Sequence, residues 1–176
     1  LDRKAPTERE LIGAIELIRN SKKPLIIVGG GAKYSDCREE LMTISEKFGI
    51  PLVETQAGKS TVEAAFKNNL GGIGVTGTLA ANKAAHVADL VIGVGTRYTD
   101  FTTGSKSIFA NEEKQFLSIN VSRMQAYKLD SFQVVADAKE TLRLLLEQLE
   151  EYHAEFNHEI EALKKEWQME RQRLSQ

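Results

Sequence analysis

The chain has 176 residues, 41% of them hydrophobic and 27% charged, and a formal net charge of -2 at pH 7. That length and balance fit one globular domain able to bury its own core, and they exclude a general electrostatic drive toward nucleic acid or an anionic membrane. No apolar run approaches bilayer-spanning length, and residues 1–6 lack a hydrophobic signal region. The single cysteine, Cys37, cannot form an internal disulfide, which fits a reducing cytoplasm. An opening at Leu1 rather than Met is expected of a segment of a longer chain.

Thr7 followed three residues later by Glu10 is a capping box, so a helix starts there. Leu11, Ile15 and Ile18 share its face, and it ends near Asn20 and Ser21, before Pro24. Residues 25–28 are wholly apolar, the habit of a parallel strand covered on both faces, and Gly29, Gly30 and Gly31 end it. The spacing of Leu41, Ile44 and Phe48 predicts a helix from about Ser35 to Phe48, followed by a strand over residues 50–53. A loop holding Gly58, Lys59 and Ser60 precedes a small helix over 62–66 and a glycine-rich loop over 71–77. An alanine-rich helix covers 79–88. Strands follow at 90–94, closed by Gly95, Thr96 and Arg97, then at 116–121 and at 134–135. This alternation implies a three-layer, Rossmann-like α/β fold with a doubly wound parallel sheet, which binds ligands beyond the carboxyl ends of its strands.

The last segment differs. From Ala138 onward there is no proline or glycine, and Leu142, Leu146, Leu149, His153, Phe156, Ile160, Leu163, Trp167, Glu170 and Leu174 fall at alternating four and three spacing. That is a heptad seam, so one long C-terminal helix is expected to outrun the body and to need a partner surface over Phe156, Ile160, Leu163 and Trp167.

Gly29, Gly30 and Gly31 stand between a strand and a helix, where backbone N–H groups can approach a phosphate, and Glu54 ends the next strand, where an acid could hold a ribose hydroxyl. Tyr34 occupies the place where the dinucleotide fingerprint wants a small residue, so a tight turn with no ligand is the alternative. Gly58, Lys59 and Ser60 resemble the end of a P-loop, but Val53 replaces its first glycine and an ordinary loop is expected. Arg97, at the carboxyl end of a strand, either clamps a phosphate or carboxylate or pairs internally with Asp100. Cys37 opens a helix, where a thiol can be activated, but no partner accompanies it. His86, His153 and His158 have no acid or cysteine at metal-ligand spacing. No catalytic residue and no metal ligand is assigned. A deacetylase on a related sheet would need a catalytic loop histidine and a zinc-cysteine cluster, which the sequence lacks.

Six stretches, in order, carry a resemblance: residues 24–32, residues 48–55 with Gly58 and Lys59, residues 73–82, residues 89–100, residues 116–121 and residues 135–139. Together they resemble the middle domain of thiamine-diphosphate-dependent enzymes, whose sheet is of the DHS-like NAD/FAD-binding type. The resemblance runs from about Thr7 to Leu149. It implies a central domain over 1–150 and a helical extension over 151–176 leading toward a C-terminal catalytic domain. Residues 98–104 and the tail through Trp167 are similar to the trihydroxycyclohexanedione hydrolases of myo-inositol catabolism, a family also labelled malonic semialdehyde oxidative decarboxylase, more than to acetolactate synthases.

In such enzymes thiamine diphosphate and magnesium lie between two flanking domains, one supplying a glutamate and the other a Gly-Asp-Gly…Asn motif. No Gly-Asp-Gly occurs here. The resemblance therefore implies a non-catalytic spacer and packing domain of a cytoplasmic hydrolase that cleaves a carbon–carbon bond of a cyclic dione. Its partners would be the flanking catalytic domains of the same chain, within a homo-oligomer. FAD-binding members resemble this chain at Thr76, Gly77 and Thr78 and at Gly95, Thr96 and Arg97. With Gly29, Gly30, Gly31 and Asn120, these are the candidate contacts for FAD or a nucleotide. Phe101, where those members often carry a second arginine, and Asn120 within the stretch 119–122, where Ile-Asp-Ile-Asp is common, depart from the FAD pattern. The alternatives are a stand-alone FAD- or nucleotide-binding module, or the same domain of an acetolactate-synthase-like or malonic semialdehyde decarboxylase-type enzyme.

Overall fold

The computed structural model describes residues 2–74, 77–97, 114–122, 131–156 and 158–176. Thr76, Asp100, Phe101 and the stretch 98–104 lie outside the described residues. The capping box forms as the sequence leads one to expect: Thr7 Oγ1 accepts from Glu10 N, the Glu10 carboxylate accepts from Thr7 N, and helix α1 (Glu8–Asn20) follows.

Six parallel strands build one sheet: β1 (Pro24–Val28), β2 (Leu52–Glu54), β3 (Asn69–Gly72), β4 (Leu90–Val94), β5 (Gln115–Asn120) and β6 (Phe132–Val135). Their order is β3-β2-β1-β4-β5-β6, so the strand order reverses between β1 and β4, the place where sheets of this kind open a ligand crevice. β1 and β4 are buried along their whole length, as apolar runs without alternation require. Helices α2 (Gly30–Ser35), α3 (Arg38–Phe48) and α5 (Ala138–Gln148) pack together with α1 as one layer, and α4 (Leu79–Val87) and α6 (Glu159–Leu174) pack on each other as the third. The core between them is almost wholly aliphatic, with Phe48 the largest fully buried side chain.

The structure corrects four expectations. First, the helix expected from Ser35 begins at Gly30 instead and is broken at Asp36, whose φ of 55° turns the chain from α2 into α3. Second, residues 62–66 form turns, not a helix. Third, part of the supposed loop over 71–77 is β3. An Asn-Leu-Gly-Gly strand carries little β propensity, and tertiary pairing with β2 overrides it through a bulged register, Leu52 opposite Asn69 and Glu54 opposite Gly72.

Fourth, the tail is not one helix. α5 stops at Gln148, Glu150 takes a φ of 48°, and a strap over 150–156 crosses the amino edge of the sheet. Ala154 N donates to Phe48 O (2.8 Å), Glu155 N to Lys22 O (2.6 Å) and Tyr152 Oη to Ser21 O (2.9 Å). α6 then runs antiparallel to α4 toward the carboxyl edge, with Lys83 facing Glu166 (3.7 Å). Phe156, Ile160 and Leu163 are buried against the body itself, so the seam needs no outside partner at those positions.

Candidate functional site

The carboxyl edge of the sheet carries the glycines, and backbone packing accounts for many of them. At the crevice between β1 and β4, Gly29 N donates to Val94 O and Gly31 N to Gly95 O, both at 2.9 Å. Gly95 has a φ of 65°, and a Cβ there would overlap Ala32 N and the Gly31 backbone. The first glycine loop therefore lies on the second, with two of its N–H groups already spent. α2 begins at Gly30 but is only six residues long, and Tyr34 points outward, 95% exposed. Thr96 is buried beside the loop; its carbonyl accepts from Asn120 Nδ2 (2.8 Å), while its Oγ1 has no hydrogen-bond partner. The sequence-derived candidates Gly29, Gly30, Gly31, Gly95, Thr96 and Asn120 thus converge on one crevice, with Arg97 exposed at its rim.

Gly77 and Thr78 belong to a second place. A cleft of about 710 Å3 opens beyond β2 and β3, lined among others by Glu54, Lys59, Gly72, Gly77, Thr78 and Trp167. Thr78 caps α4, its Oγ1 accepting from Ala81 N and donating to Leu70 O. Asn82 pins the preceding loop through Gly74, donating to its carbonyl (2.9 Å) and accepting from its N–H (3.1 Å). Gly71 has a φ of 93°, and a Cβ on it would crowd Thr78 and the Trp167 indole. In the sequence Trp167 falls on the heptad seam; its place in a cleft wall depends on the fold-back of α6, which leaves no local signal.

Glu54 is buried and already bonded within the chain. Its Oε1 accepts from Asn69 Nδ2 (2.6 Å) and its Oε2 from Ser60 N (2.8 Å). Gly58 N is bonded to Thr55, so Gly58, Lys59 and Ser60 form an ordinary turn, as expected. Cys37 is fully buried; burial first, then the nearby Glu40, Asp137 and Asp36 carboxylates, push its thiol up to about 12. An activated thiol is excluded. A larger cleft of about 1030 Å3, lined by Asn68, His153 and Lys164 among others, lies at the amino edge, away from the strand ends that carry ligands in such sheets.

Thiamine diphosphate requires a magnesium site for its diphosphate, and these residues do not fit one. Among the described residues no group of three or more His, Cys, Asp or Glu side chains is placed to hold a metal ion, and the sequence contains no Gly-Asp-Gly. Among the described residues, too, no helix is long and apolar enough to cross a membrane.

A parallel sheet of order 3-2-1-4-5-6 with glycine loops closed at its reversal point defines a Rossmann-like domain. The family model for the thiamine pyrophosphate enzyme central domain matches residues 11–145, and the chain belongs to that family. It is 69% identical over 175 residues to the 3D-(3,5/4)-trihydroxycyclohexane-1,2-dione hydrolase of Bacillus licheniformis and 68% identical over 175 residues to that of Bacillus subtilis; in both, 99% of this chain is aligned. The protein of the same name from Listeria innocua is 63% identical over 174 residues. The chain spans 28%, 28% and 27% of these three relatives, so most of each lies outside the alignment. The fold also matches the X-ray structure of an enzyme assigned as thiamin diphosphate-dependent from Mycobacterium smegmatis, with a TM-score of 0.71 at 20% identity, covering 85% of this chain and 29% of that one.

Proposed function

We propose that the chain is the non-catalytic central domain of a thiamine-diphosphate-dependent hydrolase that cleaves a carbon–carbon bond of a trihydroxycyclohexane-1,2-dione in myo-inositol catabolism. The observation that carries this reading is identity of 63–69% along essentially the whole chain to proteins bearing that hydrolase name. The acetolactate-synthase-like and stand-alone nucleotide-module readings have no comparable support. Thiamine diphosphate supplies a nucleophilic carbon that allows a bond beside a carbonyl to break. Cofactor and magnesium are held by the flanking domains of the same chain, within a homo-oligomer.

This domain contributes rigidity and spacing. The closed packing of Gly29, Gly31 and Gly95 supports that role, because a crevice filled by backbone fixes the sheet edge without a ligand. A cytoplasmic location is supported by Cys37, a lone buried thiol. The test is turnover of the cyclic dione by the full-length protein, loaded with thiamine diphosphate and magnesium, beside the present chain alone. Ring opening by the first and none by the second is expected. A full-length protein that ignores the dione and condenses 2-keto acids would replace the hydrolase reading with the synthase one.

A further inference from the structure

The cleft beyond β2 and β3, about 710 Å3, has the size of a small-molecule site. Glu54 lines it and is only 5% exposed. Its two oxygens each accept one hydrogen bond, from Asn69 Nδ2 and Ser60 N, so each keeps acceptor capacity. The Trp167 indole forms another wall where it comes against Gly71, and its Nε1–H has no partner among the described residues. Gln56, Lys59 and Ser60 stand exposed around the opening, and their side chains likewise have no hydrogen-bond partner among the described residues. Ser60 sits there with a φ of 73°, a left-handed conformation that costs a non-glycine residue free energy and that Glu54 supports by accepting from its N–H.

Charge narrows what such a cleft can hold. Its described lining carries two carboxylates, Glu54 and Glu63, against one ammonium, Lys59, and Glu63 is already paired with Arg38. A phosphate or diphosphate entering here meets a buried carboxylate with a single cation to offset it, so an anion is disfavoured. A hydroxyl is suited to both kinds of group: it donates to Glu54, and it accepts from the Gln56 amide, the Lys59 ammonium or the indole N–H. An aromatic wall beside these groups packs against the C–H face of a saturated ring, while the hydroxyls around that ring find the polar partners that burial demands. The geometry points to this cleft as a binding site for a neutral, polyhydroxylated ring. The inference stands on the cleft itself and not on the hydrolase reading.

Trp167 is the only tryptophan of the chain, so its emission reports the cleft directly. The test is titration of the chain, to tens of millimolar, with myo-inositol, with D-glucose and with inorganic pyrophosphate. A saturable change with at least one of the two polyols, and none with pyrophosphate, is expected; the polyol that saturates at lower concentration tells a cyclitol site from a sugar site. Gln56→Ala should weaken that binding roughly two- to ten-fold, the range for one net hydrogen bond, and because Gln56 is exposed the fold is not at stake. Emission that fails to saturate with either polyol, or that saturates with pyrophosphate, would overturn the proposal. Unweakened binding by Gln56→Ala would overturn it too, by placing the ligand elsewhere. None of these readings involves turnover, so a failed hydrolase assay and an empty cleft remain distinguishable.

Discussion

Asp137 joins three parts of the chain through one carboxylate. It accepts from Ser35 Oγ (2.8 Å), from Arg3 Nη1 (3.0 Å) and from Glu140 N (3.0 Å), where it caps α5. Burial alone would raise its pKa; the Glu140 N–H, then Ser35 and Arg3, hold it below the ordinary value of 3.8. The native state thus binds fewer protons than the unfolded chain across that interval. The stabilisation is fully present above the unfolded pKa and is lost as pH falls through the native one. Asp137→Ala, which removes the cap, is expected to cost about 1–2 kcal/mol in urea unfolding at pH 7. It should also flatten the acid limb of the stability profile, and an unchanged acid limb would contradict the assignment.

Cys37 gives a second expectation at this scale. With its thiol pushed up to about 12, it should resist a thiol reagent at pH 8 in the native protein and react only on unfolding. Rapid native labelling would show that the site is open. The contrast in legibility is physical. Thr7 and Glu10 could be read as a cap because their partners are three residues apart, whereas Arg3 and Asp137 are separated by 134 and no local pattern links them.

At the scale of elements, apolar periodicity identified α1, β1, α4, β4 and β5, because their own residues fill the core. It failed where tertiary contacts decide. The seam of the tail placed the right side chains in apolar positions, yet the helix breaks at Glu150 without glycine or proline, since backbone bonds from Ala154 and Glu155 to Phe48 and Lys22 compensate the turn. β3 carries no strand signal because two of its four residues are glycine, of which Gly71 permits the close contact with Thr78 and Trp167. Removal of residues 153–176 is therefore expected to lower the unfolding free energy by several kcal/mol, since burial of Phe156, Ile160 and Leu163 contributes about 1.5–3 kcal/mol each. An unchanged urea midpoint after truncation would mean that α6 is not part of the folded core.

For the whole molecule, the fold class and the carboxyl edge were legible from the order of strands, helices and glycines. What those glycines do was not. Sequence alone leaves both a phosphate cradle and a tight turn open, and only the meeting of Gly31 with Gly95 across the sheet shows how the crevice is filled. The candidate contacts also separate into two places, Gly29–Asn120 at the β1–β4 crevice and Gly77–Thr78 at the cleft beyond β3, a division that depends on strand order. The central claim is that this domain supports a thiamine-dependent enzyme without itself holding the cofactor. Calorimetric titration of the chain with thiamine diphosphate and magnesium tests it most directly. No heat of binding is expected, and saturable micromolar binding would contradict the account.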